Sequence, residues 1–284
     1  MLEIFDTRSS ALFLLLACTL SLAACHAPQA EPAEGPRASI TVLSYNIHYG
    51  LGTDGVNDLE RIADVIKRSD AGIVGLQEIG SKAMAMELGR LTGMPAVFGP
   101  SLGRDDGYGD AVLCKYPFTW VGGHSIPSAS SSRYQAMAID IDLSGILADG
   151  DGSVDGGAEG ATFRFINTHF DWLDTIGSEE ARLATVDVIE RAFREGSDLP
   201  VVLAGDLNAT PDSAPLAKLR AHGWAHGSAD SGLLTWEATK PDQQIDYVLA
   251  APEGRWRVLD VIVMDEPLAS DHLPVVVQLE LLRR

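Results

Sequence analysis

Asp206 and Asn208 stand two residues apart in the stretch AGDLNATP, directly after the apolar run Leu199-Pro-Val-Val-Leu203. Such a run suits a buried strand, and successive strand side chains alternate between faces, so a strand that persists this far holds both residues on one face. Asp, Asn and Pro also favour turns, so a strand cap followed by a turn fits the same residues. The arrangement recurs along the chain. Asn46 closes the apolar stretch SITVLSYNI, Glu78 closes AGIVGLQEI, Asn167 and His169 close TFRFINTHF, Asp246 lies within QIDYVLA, and Asp271-His272 precede Pro274. Turn chemistry alone does not account for so many polar strand ends. Carboxylates gathered at one sheet edge repel each other unless something positive joins them, and a hard divalent cation held by oxygen ligands is the economical answer. Zinc-spaced Cys/His pairs, a Gly-rich phosphate loop and a Gly-x-Ser-x-Gly elbow are all missing from the sequence.

The elements that must position these residues follow from periodicity. SITVLSYNI reads as a strand, and NDLERIADVIKRS as a helix with Leu59, Ile62, Ala63 and Ile66 on one face and Asn57 and Glu60 in capping-box positions. AGIVGLQEI is a second strand, SKAMAMELGRLTG a second helix ending at Gly93, and DAVLCKYP a strand stopped by Pro117. QAMAIDIDL and TFRFINTHF read as a hairpin around a Gly- and Asp-rich loop. In that loop Asp149, Asp151, Ser153 and Asp155 copy the alternation of a calcium loop, but Val154 replaces the required Gly and Gly160 the closing Glu, which leaves a solvated acidic loop. The helix SEEARLATVDVIERAF, with Ser178 as N-cap, is followed by the strand before Asp206 and by strand candidates around Leu233, Ile245 to Leu249, Trp256 to Val263 and Val275 to Leu281. Two sheets packed face to face with helices outside would bury all of them.

The ordered set SYNIHYG, LQEI, GDAVLCKYP, NTHFD, GDLNATP, QIDYVL and SDHLPVV resembles the endonuclease/exonuclease/phosphatase superfamily of metal-dependent phosphoesterases. The resemblance runs from about Ser39 to the C-terminus, and GDLN and SDH carry most of its specificity. It implies an α/β fold, a four-layer α/β/β/α sandwich of two mixed, largely antiparallel sheets with outer helices. It also implies roles. Glu78, helped by Asn46 and with Asp271 contributing to the same region, would hold Mg²⁺ or Mn²⁺ against a phosphate oxygen. Asp206 would orient and deprotonate the attacking water, and Asn208 would hold the phosphoryl oxygen or the water. His272 would stabilise or protonate the developing negative charge, with Asp246 fixing its tautomer, and His169 is the second candidate for leaving-group protonation. Asn167 would position His169 or the substrate phosphate, and Arg133 matches a position where a basic side chain touches phosphate. Asp110 stands where the family commonly has the Asn of a GNA motif.

The remaining composition bounds the setting. A chain of 284 residues suits one sizeable domain, expected over residues 39–284, and a net charge of −19 disfavours long nonspecific contact with a phosphate backbone. Arg8 precedes ALFLLLACTLSLAAC, which is shorter than the roughly 20 residues of a membrane-spanning helix and reads as an export signal over residues 1–24. Its end, Leu22-Ala23-Ala24-Cys25, resembles the bacterial lipobox, in which the Cys is acylated and becomes the mature N-terminus; plain cleavage nearby is the alternative. Residues 25–38 then form a flexible Pro- and Ala-rich tether, and Cys114 is left without an intrachain partner as a small core residue.

The expectation is therefore a monomeric, exported phosphoester hydrolase, lipid-anchored to a membrane of the cell envelope. His26 lacks the Asp that in some bacteria signals inner-membrane retention, which leaves the outer membrane open as its site. Its substrate is a phospholipid headgroup, a small phosphodiester or nucleic acid. The alternatives are a nonspecific nuclease on extracellular nucleic acid and, less favoured, a noncatalytic binding protein on the same fold.

Overall fold

The computed structural model describes residues 38–101, 107–129, 134–148, 161–224 and 226–282. The leader, Cys25, nearly all of the tether, Arg133 and the acidic loop from Asp149 to Asp155 lie outside the described residues. Chain order gives β1 (Ala38–Asn46), α1 (Leu59–Arg68), β2 (Ile73–Ile79), α2 (Lys82–Thr92), β3 (Ala96–Pro100), β4 (Gly109–Cys114), β5 (Phe118–Ile126) and β6 (Tyr134–Asp142). There follow α3 (Ser144–Ala148), β7 (Thr162–His169), α4 (Ile176–Ile189), β8 (Val201–Asp206), α5 (Ala214–Ala221), β9 (His226–Gly227), β10 (Asp246–Ala251), β11 (Trp256–Val263) and β12 (Val275–Leu281).

The strands form two six-stranded sheets, ordered β11-β12-β1-β2-β4-β3 and β5-β6-β7-β8-β10-β9. Each is mixed: β1 and β2 run parallel, as do β7 and β8, and the other pairings within the sheets are antiparallel. Strand alternation sorts the side chains into three apolar layers. Ile40, Val42, Ile73, Phe163, Phe165, Val202, Ala204, Val248 and Val277 meet between the sheets. Leu43, Tyr45, Val74 and Leu76 turn the other way, onto Ile62, Ile66 and Leu88 of α1 and α2. Ile166, Leu203, Tyr247 and Leu249 do the same for the second sheet, against Val186, Ile189, Leu216 and Leu219 of α4 and α5. The result is the expected four-layer sandwich.

Several local readings need correction. Helix α1 is capped by Asp58, which accepts the Arg61 N–H at 3.0 Å, while Asn57 donates instead to the Tyr49 carbonyl. The cap of helix α4 is Thr175, three residues before the expected Ser178, because Thr175 Oγ1 takes the Ser178 N–H at 3.1 Å. No strand forms around Leu233; the neighbouring backbone makes isolated bridges from Trp236 to Gln243 and to His272. Strands β3 and β5 and helices α3 and α5 were not legible in the sequence. Strand β5 is an edge strand with Trp120 and Val121 exposed, so it lacks the buried alternation that marks a strand.

One buried amide ties the two sheets together. Asn167 on β7 donates to the Leu76 and Ala111 carbonyls of the first sheet, at 2.9 and 3.0 Å, and accepts from Gln77 Nε2 at 2.7 Å. Its surface is wholly inaccessible and both amide hydrogens are spent. Asn167 is therefore no phosphate ligand; the expected substrate contact is overturned by the depth at which the residue sits.

Gly75 leaves room for this amide, since a Cβ there would stand 2.6 Å from Asn167 Oδ1 and 3.0 Å from the Ala204 Cβ. Gly75→Ala is expected to lower unfolding stability by roughly 1–3 kcal/mol, the usual cost of overpacking, read as a lower urea midpoint with an unchanged slope. A wild-type midpoint would show that the sheets are not locked here.

Candidate active site

The inter-sheet face that carries the core also carries the polar cluster. Asn46 follows Ile40 and Val42 at even positions of β1, His169 follows Phe163 and Phe165 on β7, and Asp206 follows Val202 and Ala204 on β8. Each is the last inward-facing residue of its strand. On β10 the order is reversed, because that strand is antiparallel to β8 and its first residue, Asp246, is the register partner of Asp206. His169 is likewise paired with Asp206 across the parallel β7–β8 ladder. Four strands thus deliver their polar ends to one edge of the sandwich.

His272 lies among them. Its Nδ1 is 2.9 Å from Asp246 Oδ2, and its Nε2 is 3.7 Å from Asp206 Oδ2 and 3.4 Å from Asn46 Nδ2. Burial opposes a charge on this imidazole, but Asp246 and then Asp206 outweigh burial and hold its pKa well above the ordinary histidine value. Asp206 Oδ2 accepts from Asn46 Nδ2 at 3.0 Å and its Oδ1 from the Asn208 N–H at 2.9 Å. Burial first and Asp246 second raise the Asp206 carboxyl above the usual range, against the pull of His272. The loop carrying His272 is itself held by backbone pairing, from Ala238 N–H to the Asp271 carbonyl at 2.8 Å and from Leu273 N–H to the Thr235 carbonyl at 2.7 Å.

Asn208 reaches the site by another route than strand alternation. Strand β8 stops at Asp206, and Asn208 sits in a left-handed turn with φ of 45°. Its Nδ2 contacts His169 Nε2 at 3.1 Å and the Phe170 carbonyl at 3.2 Å. Both amide hydrogens so placed assign the His169 hydrogen to Nδ1, toward Tyr108 Oη 2.8 Å away, while Nε2 also stands 3.4 Å from Asp206 Oδ2. Burial lowers the His169 pKa to about 4, so this imidazole is neutral at physiological pH. Tyr108 itself was not legible in the sequence. Nor was Asp171, which anchors the next loop by accepting from Ser128 Oγ at 2.5 Å, the Ala129 N–H at 2.8 Å and the Leu173 N–H at 3.1 Å.

Glu78 is aimed by a bulge. Leu76 pairs with Ala111 but Ile79 pairs with Gly109, so β2 holds one residue more than β4 between these pairs. Val74, Leu76 and Ile79 all lie in the outer apolar layer, which shows where the alternation skips. Glu78 takes φ of 60° there and lines the cleft instead of the helix layer. Opposite the bulge lies Asp110, buried, with Oδ1 unpartnered; burial first and Glu78 second raise its pKa well above normal, while the Glu78 backbone N–H pulls the other way. Asp271 is partly exposed at the rim, where its Oδ1 is 3.5 Å from His48 Nδ1.

These polar ends open into a cleft of about 620 Å³, lined by Glu78, His169, Asp206, Asn208, Asp271 and His272 together with Trp172 and Trp236. Among the described residues no Lys or Arg pairs with Glu78, Asp110, Asp206 or Asp246. Hard oxygen donors in excess over positive charge, one of them an orphaned buried carboxylate oxygen, fit a divalent cation of the magnesium type. Asp206, Asp246 and His272 also present ligand atoms within 4.8 Å of one another. The 2.9 Å Asp246–His272 separation is a hydrogen-bond distance; Glu78, Asp271 and the Asn46 Oδ1, which also accepts the His48 N–H at 3.1 Å, are further oxygen donors at this edge.

A model of the endonuclease/exonuclease/phosphatase family matches residues 43–272. Among solved structures, a family protein from Bacteroides thetaiotaomicron aligns with TM-score 0.69 at 20% identity, over 86% of this chain and 96% of that one. The mannosyl-6-phosphatase of the same organism aligns at 0.68 and 18% identity, over 84% of this chain and 99% of that one. TDP2 of D. rerio, complexed with a single-strand DNA product, aligns at 0.61 and 16%, over 85% and 99%.

The network makes two predictions. In an NMR titration of the imidazole nitrogens, His169 should remain neutral, with hydrogen on Nδ1, until the pH falls to about 4; a charged ring at pH 6 would contradict the network. Because its folded-state pKa is depressed, this group favours the native state less as pH falls from its unfolded value toward 4. Asp110→Asn, which removes a carboxyl whose ionisation burial and Glu78 oppose, should raise the thermal midpoint of the metal-free protein in calorimetry above the pH at which a free Asp ionises. A lowered midpoint would mean that the Glu78 N–H bond outweighs the burial of this carboxyl.

Proposed function

Because the chain belongs to the endonuclease/exonuclease/phosphatase family, whose members are divalent-metal-dependent phosphoester hydrolases, we propose that it cleaves a phosphoester by in-line attack of water activated at Asp206. The observation that carries this reading is the pairing of Asp206 with a His272 that is itself backed by Asp246, both opening into the cleft. A carboxyl lifted by burial out of its usual range is better matched to accept a proton near neutral pH than an exposed Asp. Its Oδ1 and Oδ2 are fixed by the Asn208 N–H and the Asn46 amide, so the base has little freedom to turn away.

His272 supplies the opposite service. Held as imidazolium by Asp246, it stabilises the charge gathering on phosphoryl oxygen and delivers a proton to the departing oxygen. His169, neutral and oriented by Tyr108 and Asn208, presents a fixed dipole to the reacting group and is a poor proton donor. Glu78, the Asn46 Oδ1 and Asp271 would hold the cation, which when bound acts as a Lewis acid on the phosphoryl group. Water oxygen bonds to phosphorus, the ester P–O bond breaks, Asp206 takes one proton and the alcohol leaves with another from His272.

Asp206→Asn keeps the shape of the side chain and removes the base. Turnover of p-nitrophenyl phosphate or its bis-ester, in Mg²⁺ or Mn²⁺, should fall by roughly 10²–10⁴-fold in kcat, and a chelator should abolish it in the wild type. Retained turnover in the folded variant would sink the assignment of Asp206 as base.

A further inference from the structure

The cleft is much larger than a phosphate requires, and its outer part has a consistent chemistry. Trp172, three residues after His169, is 58% exposed at its edge. Trp236, which also lines the cleft, forms an antiparallel bridge with His272, which puts the two side chains on the same face of that pairing. Indole left in water forgoes the burial that usually stabilises so large an apolar group. The exposed indole of Trp172, with the half-buried Trp236 beside His272, marks a surface that a ligand covers.

The polar lining narrows what that ligand is. Asp174 and Glu179 are exposed carboxylates, which only accept hydrogen bonds, and the Gln243 side chain is exposed beside them. The cleft's one Arg or Lys among the described residues is Arg182, whose Nη1 is already given to the Asp171 and Leu173 carbonyls at 2.8 and 3.0 Å. A leaving group with further phosphates would meet the exposed carboxylates of Asp174 and Glu179, with Arg182 the single Lys or Arg lining the cleft among the described residues to answer them. A quaternary ammonium would satisfy the rings and the carboxylates, but it donates no hydrogen bonds to them. A neutral group with many hydroxyls and a face of C–H bonds satisfies both parts of the lining, because those slightly positive hydrogens suit the negative face of an indole.

We infer that the substrate is a sugar phosphate, whose leaving sugar lies on Trp172 and Trp236 with its hydroxyls donating to Asp174 and Glu179. The inference rests on the hydrolase reading of the same site. Hydrolysis then breaks the bond from phosphorus to the sugar oxygen, which leaves as a hydroxyl with the His272 proton, and inorganic phosphate remains.

The test compares mannose 6-phosphate and glucose 6-phosphate with O-phosphocholine, a single-stranded oligonucleotide and p-nitrophenyl phosphate, all with Mg²⁺ or Mn²⁺. The hexose phosphates should show kcat/KM at least about tenfold above O-phosphocholine and the oligonucleotide. Trp172→Ala should raise KM for the hexose phosphate about tenfold with a much smaller change in kcat, and Trp172→Phe should recover most of the loss. Circular dichroism establishes that each variant is folded. Turnover of p-nitrophenyl phosphate with none of the hexose phosphates overturns the inference and leaves the hydrolase reading standing. Preference for O-phosphocholine or the oligonucleotide also overturns it, as does an unchanged KM in folded Trp172→Ala. Silence on every ester would remove the hydrolase reading itself.

Discussion

Two buried carboxylates face each other in register across β8 and β10, and His272 is what lets them coexist. Asp206 and Asp246 are each at most 1% exposed, and like charges so placed repel strongly in a medium poorer in screening than water. The imidazole hydrogen-bonds one of them and comes within 3.7 Å of the other. Removing it would leave one of the two to take up a proton. Much else at this edge serves that arrangement. The pairing of Thr235–Ala238 with Asp271–Leu273 carries the histidine, Ser270 Oγ fastens the same loop to the Asn46 carbonyl at 2.8 Å, and Asn46 completes the circle by donating to Asp206.

The second sheet contributes Asp206, Asp246 and His169 to this edge, and the first contributes Glu78 and Asp110. Had β2 kept its alternation, Glu78 would have followed Val74 and Leu76 into the helix layer; one extra residue turns it toward the cleft instead. The left-handed backbone this demands of a glutamate is unfavourable for an L-residue with a long side chain. Such strain persists because neighbouring strand pairs on either side of it are fixed. Asp110 adds a buried, unpartnered oxygen from the opposite strand.

Much of this was legible in the sequence, because the site residues are the polar ends of rows whose other members are core. Ile40, Val42 and Asn46 share a parity on β1, as do Val202, Ala204 and Asp206 on β8, and a parity can be read from letters. Depth along the row cannot. Asn167 has the same parity as His169 and only its position, one step further in, makes it a tie between sheets and not a ligand. The bulge at Glu78 was hidden for a similar reason, since it depends on how many residues the partner strand spends over the same distance. Asn208 was placed on the right side by the wrong geometry, a turn in place of a strand. Tyr108 acts through His169, and Asp171 through Ser128 and Ala129 as well as the nearby Leu173 N–H, and the long-range partners are not signalled in their own neighbourhood.

The anchoring of Asp171 has an evolutionary meaning. Its carboxylate clamps the chain immediately after the strand that ends in His169, against Ser128 and Ala129 on a different connection. Helix α4 begins only after Thr175, so the stretch between clamp and helix cap carries Trp172 and Asp174 but no member of the Asp206–His272–Asp246 network. The segment can therefore diverge in length and composition as a separate module, changing what the cleft admits while the reacting groups keep their places. A lineage that alters this one connection can acquire a new substrate without having to reinvent its chemistry.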